Sequence, residues 1–174
     1  MHSSLLPWGS VPEPRRQSLM CVDAFGDAAK GLDASFRRLL ACEPITFAAK
    51  PRSLPSSVVY LFSDTQPIYA GRSNTFGSRL GQHCRAGSQA NQASLAFRMA
   101  CEEVGHIRQR YKQGSSFKDA LRDVAGLADA FSAMKERLRF AEVRYVAEPD
   151  QVRQALLEMY TALALGLRHD FGTH

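Results

Sequence analysis

The stretch VVYLFSDTQPIYAGRSNTFGSRLGQH, residues 58–83, decides how this chain reads. Residues 58–62 are β-branched, aromatic and aliphatic, and 68–71 form a second, shorter run of the same kind, both of strand length. SDTQP between them supplies turn chemistry, so the two runs form a hairpin. With residues 63–66 as its loop, an antiparallel register pairs Phe62 with Pro67, Leu61 with Ile68 and Tyr60 with Tyr69. Two phenols then lie opposite each other on one face. Ser73, Asn74 or Thr75 can cap a helix running through about Cys84. Phe76, Leu80 and Cys84 share one stripe of that helix; Arg79 and His83, four apart, share another.

On the C-terminal side, RAGSQANQ at 85–92 reads as a loop, and helical patterns follow at about 93–112 and 117–138, separated by Gly114, Ser115 and Ser116. FAEVRYVA at 140–147 alternates, with Ala141, Val143, Tyr145 and Ala147 on one face, and is a third strand. Pro149 and Asp150 then start an apolar helix over 151–166 with a single acid, Glu158. On the N-terminal side, Pro44, Pro51 and Pro55 mark a linker. Before it, Leu19, Val22, Phe25, Ala29, Leu32, Phe36 and Leu39 recur at helical spacing over 18–41, weakened by Gly26 and Gly31. Residues 1–17 have no periodicity and read as a mobile arm.

The fold class expected from these elements is α+β: a small, mainly antiparallel three-stranded sheet flanked by helices. The organisation is an arm at 1–17, a helical extension and linker at 18–56, and the main domain at 57–174 with a helical insertion at about 85–139. At 174 residues and 45% hydrophobic content the chain suits one domain with appendages. The longest apolar runs are too short for a membrane span, and MHSSLLPWGSVPEPRR is not patterned as a secretion signal. A cytoplasmic protein is the expectation. Cys21, Cys42, Cys84 and Cys101 are unpaired in spacing and read as free thiols. The net charge of +5 is local: residues 72–118 carry eight bases against two acids. A one-sign patch suits a polyanion such as nucleic acid, though many solvated helix faces are basic.

Tyr60, Tyr69, Arg72, Arg79, His83 and Glu158 are the residues whose chemistry could combine. Each also has a plain reading: strand-forming tyrosines, solvated helix cations, an edge carboxylate. Order and spacing favour the combination. The segment resembles the signature of the GIY-YIG nuclease superfamily, in the form of its small bacterial-type domain proteins. Val58, Val59 and Tyr60 match the first half-motif; Tyr69, Ala70 and Gly71 match the second; Arg79 and His83 match the helix Arg and the residue four later; Glu158 matches the family's metal-binding Glu. Val58 and Val59 stand in place of Gly-Ile, and His169 stands where many members have Asn, with Asp170 and His174 close by.

The resemblance implies metal-dependent endonuclease cleavage of DNA, the choice of DNA over RNA coming from the family. Glu158 would hold a single Mg²⁺ or Mn²⁺, a hard ion that needs few protein ligands. Arg79, with Arg72 beside it, would stabilise the phosphate. One of Tyr60 and Tyr69 would activate water with His83 relaying the proton. A phenol is a poor base at neutral pH, so the motif tyrosines are expected to be lowered by Arg72, Arg79 and the ion. Arg85, Arg98, Arg108, Arg110 and Lys112, together with Arg72, would track the nucleic-acid backbone, and Asn91 and Glu102 are polar neighbours without a defined role. The rival reading is a catalytically degenerate module of the same fold that binds nucleic acid. A third is an interaction protein working through the N-terminal amphipathic helix.

Overall fold

The computed structural model describes residues 24–106 and 117–167. Two compact units divide between Lys30 and Gly31. The first contributes a short helical stretch at 24–29. In the second, helices α1 (Leu32–Ala41), α2 (Phe76–Cys84), α3 (Ser94–Glu103), α4 (Phe117–Asp123), α5 (Leu127–Phe140) and α6 (Gln151–Ala164) surround strands β1 (Val58–Ser63), β2 (Pro67–Ser73) and β3 (Glu142–Ala147). The sheet is antiparallel throughout, in the order β2-β1-β3. The expected α+β class with a three-stranded sheet is therefore the observed one.

β1 is central, and every residue of it is buried. That is why its sequence is a continuous apolar run rather than an alternating one. Its two faces feed two cores. Val58, Tyr60 and Phe62 join Phe76, Leu80, Phe97, Phe131 and Leu138 from α2, α3 and α5. Val59 and Leu61 join Ala70, Leu39 and Leu157, which brings α1 and α6 to the other side. Ile45 forms an isolated bridge to Val143, tying the linker to β3.

Four expectations, the hairpin register and the extents of three helices, are corrected. The hairpin register is shifted by two residues: Phe62 pairs with Tyr69, Leu61 with Ala70 and Tyr60 with Gly71. A bulge between Phe62 and Ser63, which pairs with Pro67, absorbs the extra residue Ile68. Both Ile68 and Tyr69 consequently pack against the first core. The tip is fixed by Asp64, whose Oδ1 accepts from the Gln66 amide and whose Oδ2 accepts from Arg137 Nε at 2.8 Å. The Arg137 guanidinium holds that carboxyl below the usual range.

The helices are also shorter than their periodicity suggests, because glycines at positive φ end them. The segment expected helical to residue 112 stops at Glu103, where Gly105 (φ 66°) lets the His106 amide reach the Cys101 carbonyl at 2.8 Å. Gly126 (φ 75°) splits the expected 117–138 helix into α4 and α5. Gly31 (φ 77°) likewise separates the 24–29 turn from α1. The last helix keeps its expected start: Asp150 accepts from the Arg153 amide at 2.8 Å. Cys42 and Cys84 are free thiols, and burial pushes the Cys84 thiol up to about 12. Among the described residues no helix is long and apolar enough to cross a membrane.

Candidate active site

The two motif tyrosines meet on the first face of the sheet. Period-two alternation already puts Tyr60 and Tyr69 on the same side, and a two-residue shift in register leaves that unchanged. Their ring centroids lie 6.1 Å apart. Gly71, opposite Tyr60, makes room for both. A Cβ there would sit 2.7 Å from the Tyr60 hydroxyl oxygen and 2.6 Å from Tyr69 Cε1. The glycine is thus demanded by space rather than by its backbone angle.

His83 closes the group from α2. Its Nε2 lies 3.0 Å from the Tyr60 hydroxyl, and its ring sits 5.5 Å from Phe62 and 6.1 Å from Tyr69. It is fully buried, so it belongs with Leu80 and Cys84 and not with the solvated stripe its spacing from Arg79 suggested. Its Nδ1 is buried without a hydrogen-bond partner among the described residues. Burial, reinforced by the charge of Arg79, lowers His83 to about 3. The imidazole is neutral across the working pH range.

The phenols run against expectation. Burial drives Tyr60 well above the ordinary phenol value, and the neighbouring Tyr69 adds to this while Arg79 opposes it. Tyr69 is raised by burial and by the charge of Glu158, against Arg79, Arg98 and a hydrogen bond from Tyr60. The guanidiniums do act in the lowering direction, but desolvation wins because both rings lie under the helices. Tyr60 is 1% exposed, whereas Tyr69 is only partly buried. Tyr69 is therefore the phenol nearer solvent.

Arg79, inside α2, is held by Gln82 Oε1 at 3.0 Å, the Gln92 carbonyl at 3.2 Å and Ser94 Oγ at 3.5 Å, and it is also hydrogen-bonded with Tyr60. Gln82 was legible as its neighbour three positions along one helix. Gln92 and Ser94 sit beyond a loop, and no local pattern announces them. Arg72 Nε contacts Glu158 Oε2 at 3.1 Å, joining β2 to α6 across 86 positions of sequence. The Arg98 guanidinium lies 5.7 Å from the Tyr69 ring centroid. Tyr60, Tyr69, Arg79, His83, Arg98 and Glu158 thus fall within one electrostatic neighbourhood, with Arg72 attached through Glu158.

The remaining expected positions are more dispersed. Arg85 is exposed and folds back over Gly81 of its own helix. Asn91 and Glu102 are exposed; Glu102 lines a cleft with Arg98 and Met99 beside the hairpin tip. Arg108, Arg110, Lys112 and His169, with Asp170 and His174, lie outside the described residues.

Among the described residues no group of three or more His, Cys, Asp or Glu side chains gathers. An ion here would be held by Glu158 and its own waters, a donor set that suits a hard cation. One turn earlier on the same face of α6, Gln154 is fully buried. Its Nε2 donates to Asn74 Oδ1 at 3.0 Å and to the Glu148 carbonyl at 2.7 Å, and its Oε1 has no partner among the described residues. The unpartnered Gln154 Oε1 and the Glu158 carboxylate are both oxygen donors one turn apart on α6, and this chemistry fits a hard cation at a single-carboxylate site. In comparison with known proteins, no protein-family model, no curated protein and no solved structure matches the chain, so the GIY-YIG resemblance rests on these motif residues alone.

Proposed function

We propose that this chain is a metal-dependent endonuclease that hydrolyses phosphodiester bonds of DNA. The observation that carries the reading is the meeting of Tyr60, Tyr69 and His83 beside Arg79, with Glu158 close enough for its charge to act on both phenols. Tyr69, the less buried phenol, faces the attacking water. Tyr60 is hydrogen-bonded with Tyr69 and with His83 behind it, which orients the water-facing phenol. Arg79 presents its planar fork to the phosphate from a pose already set by Gln82, Gln92 and Ser94. A divalent ion at Glu158 supplies positive charge for the developing phosphate charge and offsets the carboxylate that raises Tyr69. Arg72, released from Glu158, becomes a second phosphate contact.

A second reading, a nucleic-acid-binding module without turnover, draws on the Arg72–Glu158 pair, which competes for the carboxylate, and on the raised phenols. Supercoiled plasmid and a branched-DNA panel, incubated with Mg²⁺ or Mn²⁺ and with either wild type or Glu158→Ala, separate the two. Metal-dependent cleavage by wild type alone is expected. Salt-sensitive binding with no cleavage by either protein would favour the module, and equal cleavage by both would remove Glu158 from the site.

A further inference from the structure

Lys135, on α5, is 8% exposed and plays no part in the chemistry above. Its ammonium donates to the Ala86 carbonyl at 2.5 Å and to the Ser88 carbonyl at 3.4 Å, and sits 4.4 Å from the centroid of the Phe131 ring. An ammonium has three N–H donors; two carbonyls and an aromatic face use them all. Burial depresses the Lys135 pKa, so the position carries a desolvation cost that a leucine would avoid. Such an arrangement serves to hold a loop, and this loop is the one that links α2 to α3.

The loop leads to Arg79. Ser88 Oγ donates to the Gly81 carbonyl of α2 at 3.4 Å. The Gln92 and Ala93 amides both turn back onto the Gln89 carbonyl, at 3.0 and 2.8 Å, and Gln92 Oε1 accepts from the Gln89 amide at 3.1 Å. This short, closed turn delivers the Gln92 carbonyl and Ser94 Oγ, two of the acceptors on Arg79. A shift of the Ala86–Ser88 segment is transmitted to both.

We infer that Lys135 is a positioning residue for Arg79, acting through the 85–93 loop. The inference rests on the reading of Arg79 as the phosphate-binding group. The Arg79 Nε–Hε resonance of the full chain, together with single-turnover plasmid cleavage, tests it. In Lys135→Met the resonance is expected to move toward that of a solvated arginine and cleavage to slow about tenfold or more. Lys135→Arg, which keeps charge and donors, is expected to recover most of both. In an Arg79→Ala background Lys135→Met should add nothing, because the two residues act as one unit. An unmoved resonance in folded Lys135→Met, or losses that multiply in the double variant, would overturn the inference. Where Lys135→Met fails to fold, Phe131→Leu removes the ring beneath the ammonium together with its edge contact to Phe97; a smaller shift of the Arg79 resonance in the same direction supports the inference, and none overturns it. Absence of cleavage by wild type would instead reject the nuclease reading, leaving the resonance to decide on Lys135.

Discussion

The two faces of the sheet are built from the same strand to opposite ends. Under α1 and α6, the buried apolar members of the core are all aliphatic, Leu39, Val59, Leu61, Ala70 and Leu157, with Ser35, Gln154 and Thr161 buried on the same two helices. Under α2, α3 and α5, the alternate residues of β1 meet Tyr69 and a fully buried histidine. Aliphatic packing is the cheaper way to fill a core, since it leaves no polar group to satisfy. The Tyr60–His83 pair, with an unpartnered imidazole nitrogen, is the arrangement a stability argument would not select. Both sides bury polar groups, Gln154 and Thr161 of α6 on one and His83 on the other, but only the face under α2, α3 and α5 brings phenols and an imidazole together, and α6 reaches them through Glu158.

Truncation on the aliphatic face should expose this division most strongly. Leu39→Ala is expected to cost about 2–5 kcal/mol in denaturant unfolding, from lost burial plus a cavity. Cleavage per folded molecule should be unchanged. A fall in turnover well beyond the loss of folded protein would mean that Leu39 also sets the position of α6 and its Glu158.

A smaller effect sharpens the contrast from the polar side. His83 is depressed in the folded state, so below its unfolded value of about 6.5 the unfolded chain binds the extra proton. Its contribution to stability is present above that pH and is lost progressively as pH falls toward about 3. The slope it adds is about 1.4 kcal/mol per pH unit at most. His83→Gln should flatten the stability profile between pH 4 and 6 by roughly that amount. An unchanged slope would mean that the imidazole takes up its proton inside the fold, and the neutral Tyr60–His83 pair would be wrong.

What could be read from the sequence follows the range of the interactions. The shared face of Tyr60 and Tyr69 depends only on alternation, and it survived a wrong register because the error was even. The bulge at Ile68 was invisible, since it comes from the Asp64 turn and its tie to Arg137, 73 positions away. Spacing puts His83 beside Arg79 but leaves both a solvated and a site role open, because it does not say which side of a nine-residue helix faces the sheet. Helix ends were overrun where glycines could have been read as stops: Gly31, Gly105 and Gly126 each take positive φ. The supports of Arg79 were out of reach for another reason. Gln92 and Ser94 have no chemistry of their own to flag them, and no local pattern marks Lys135 as buried.

The central claim is that the polar face builds a water-directing phenol beside a fixed guanidinium. Tyr69→Phe tests it by removing one oxygen and little else. Single-turnover cleavage of supercoiled plasmid in Mg²⁺ should fall by about 10²–10⁴-fold, with the circular dichroism spectrum and melting temperature close to those of wild type. Cleavage at the wild-type rate by the folded variant would contradict the claim.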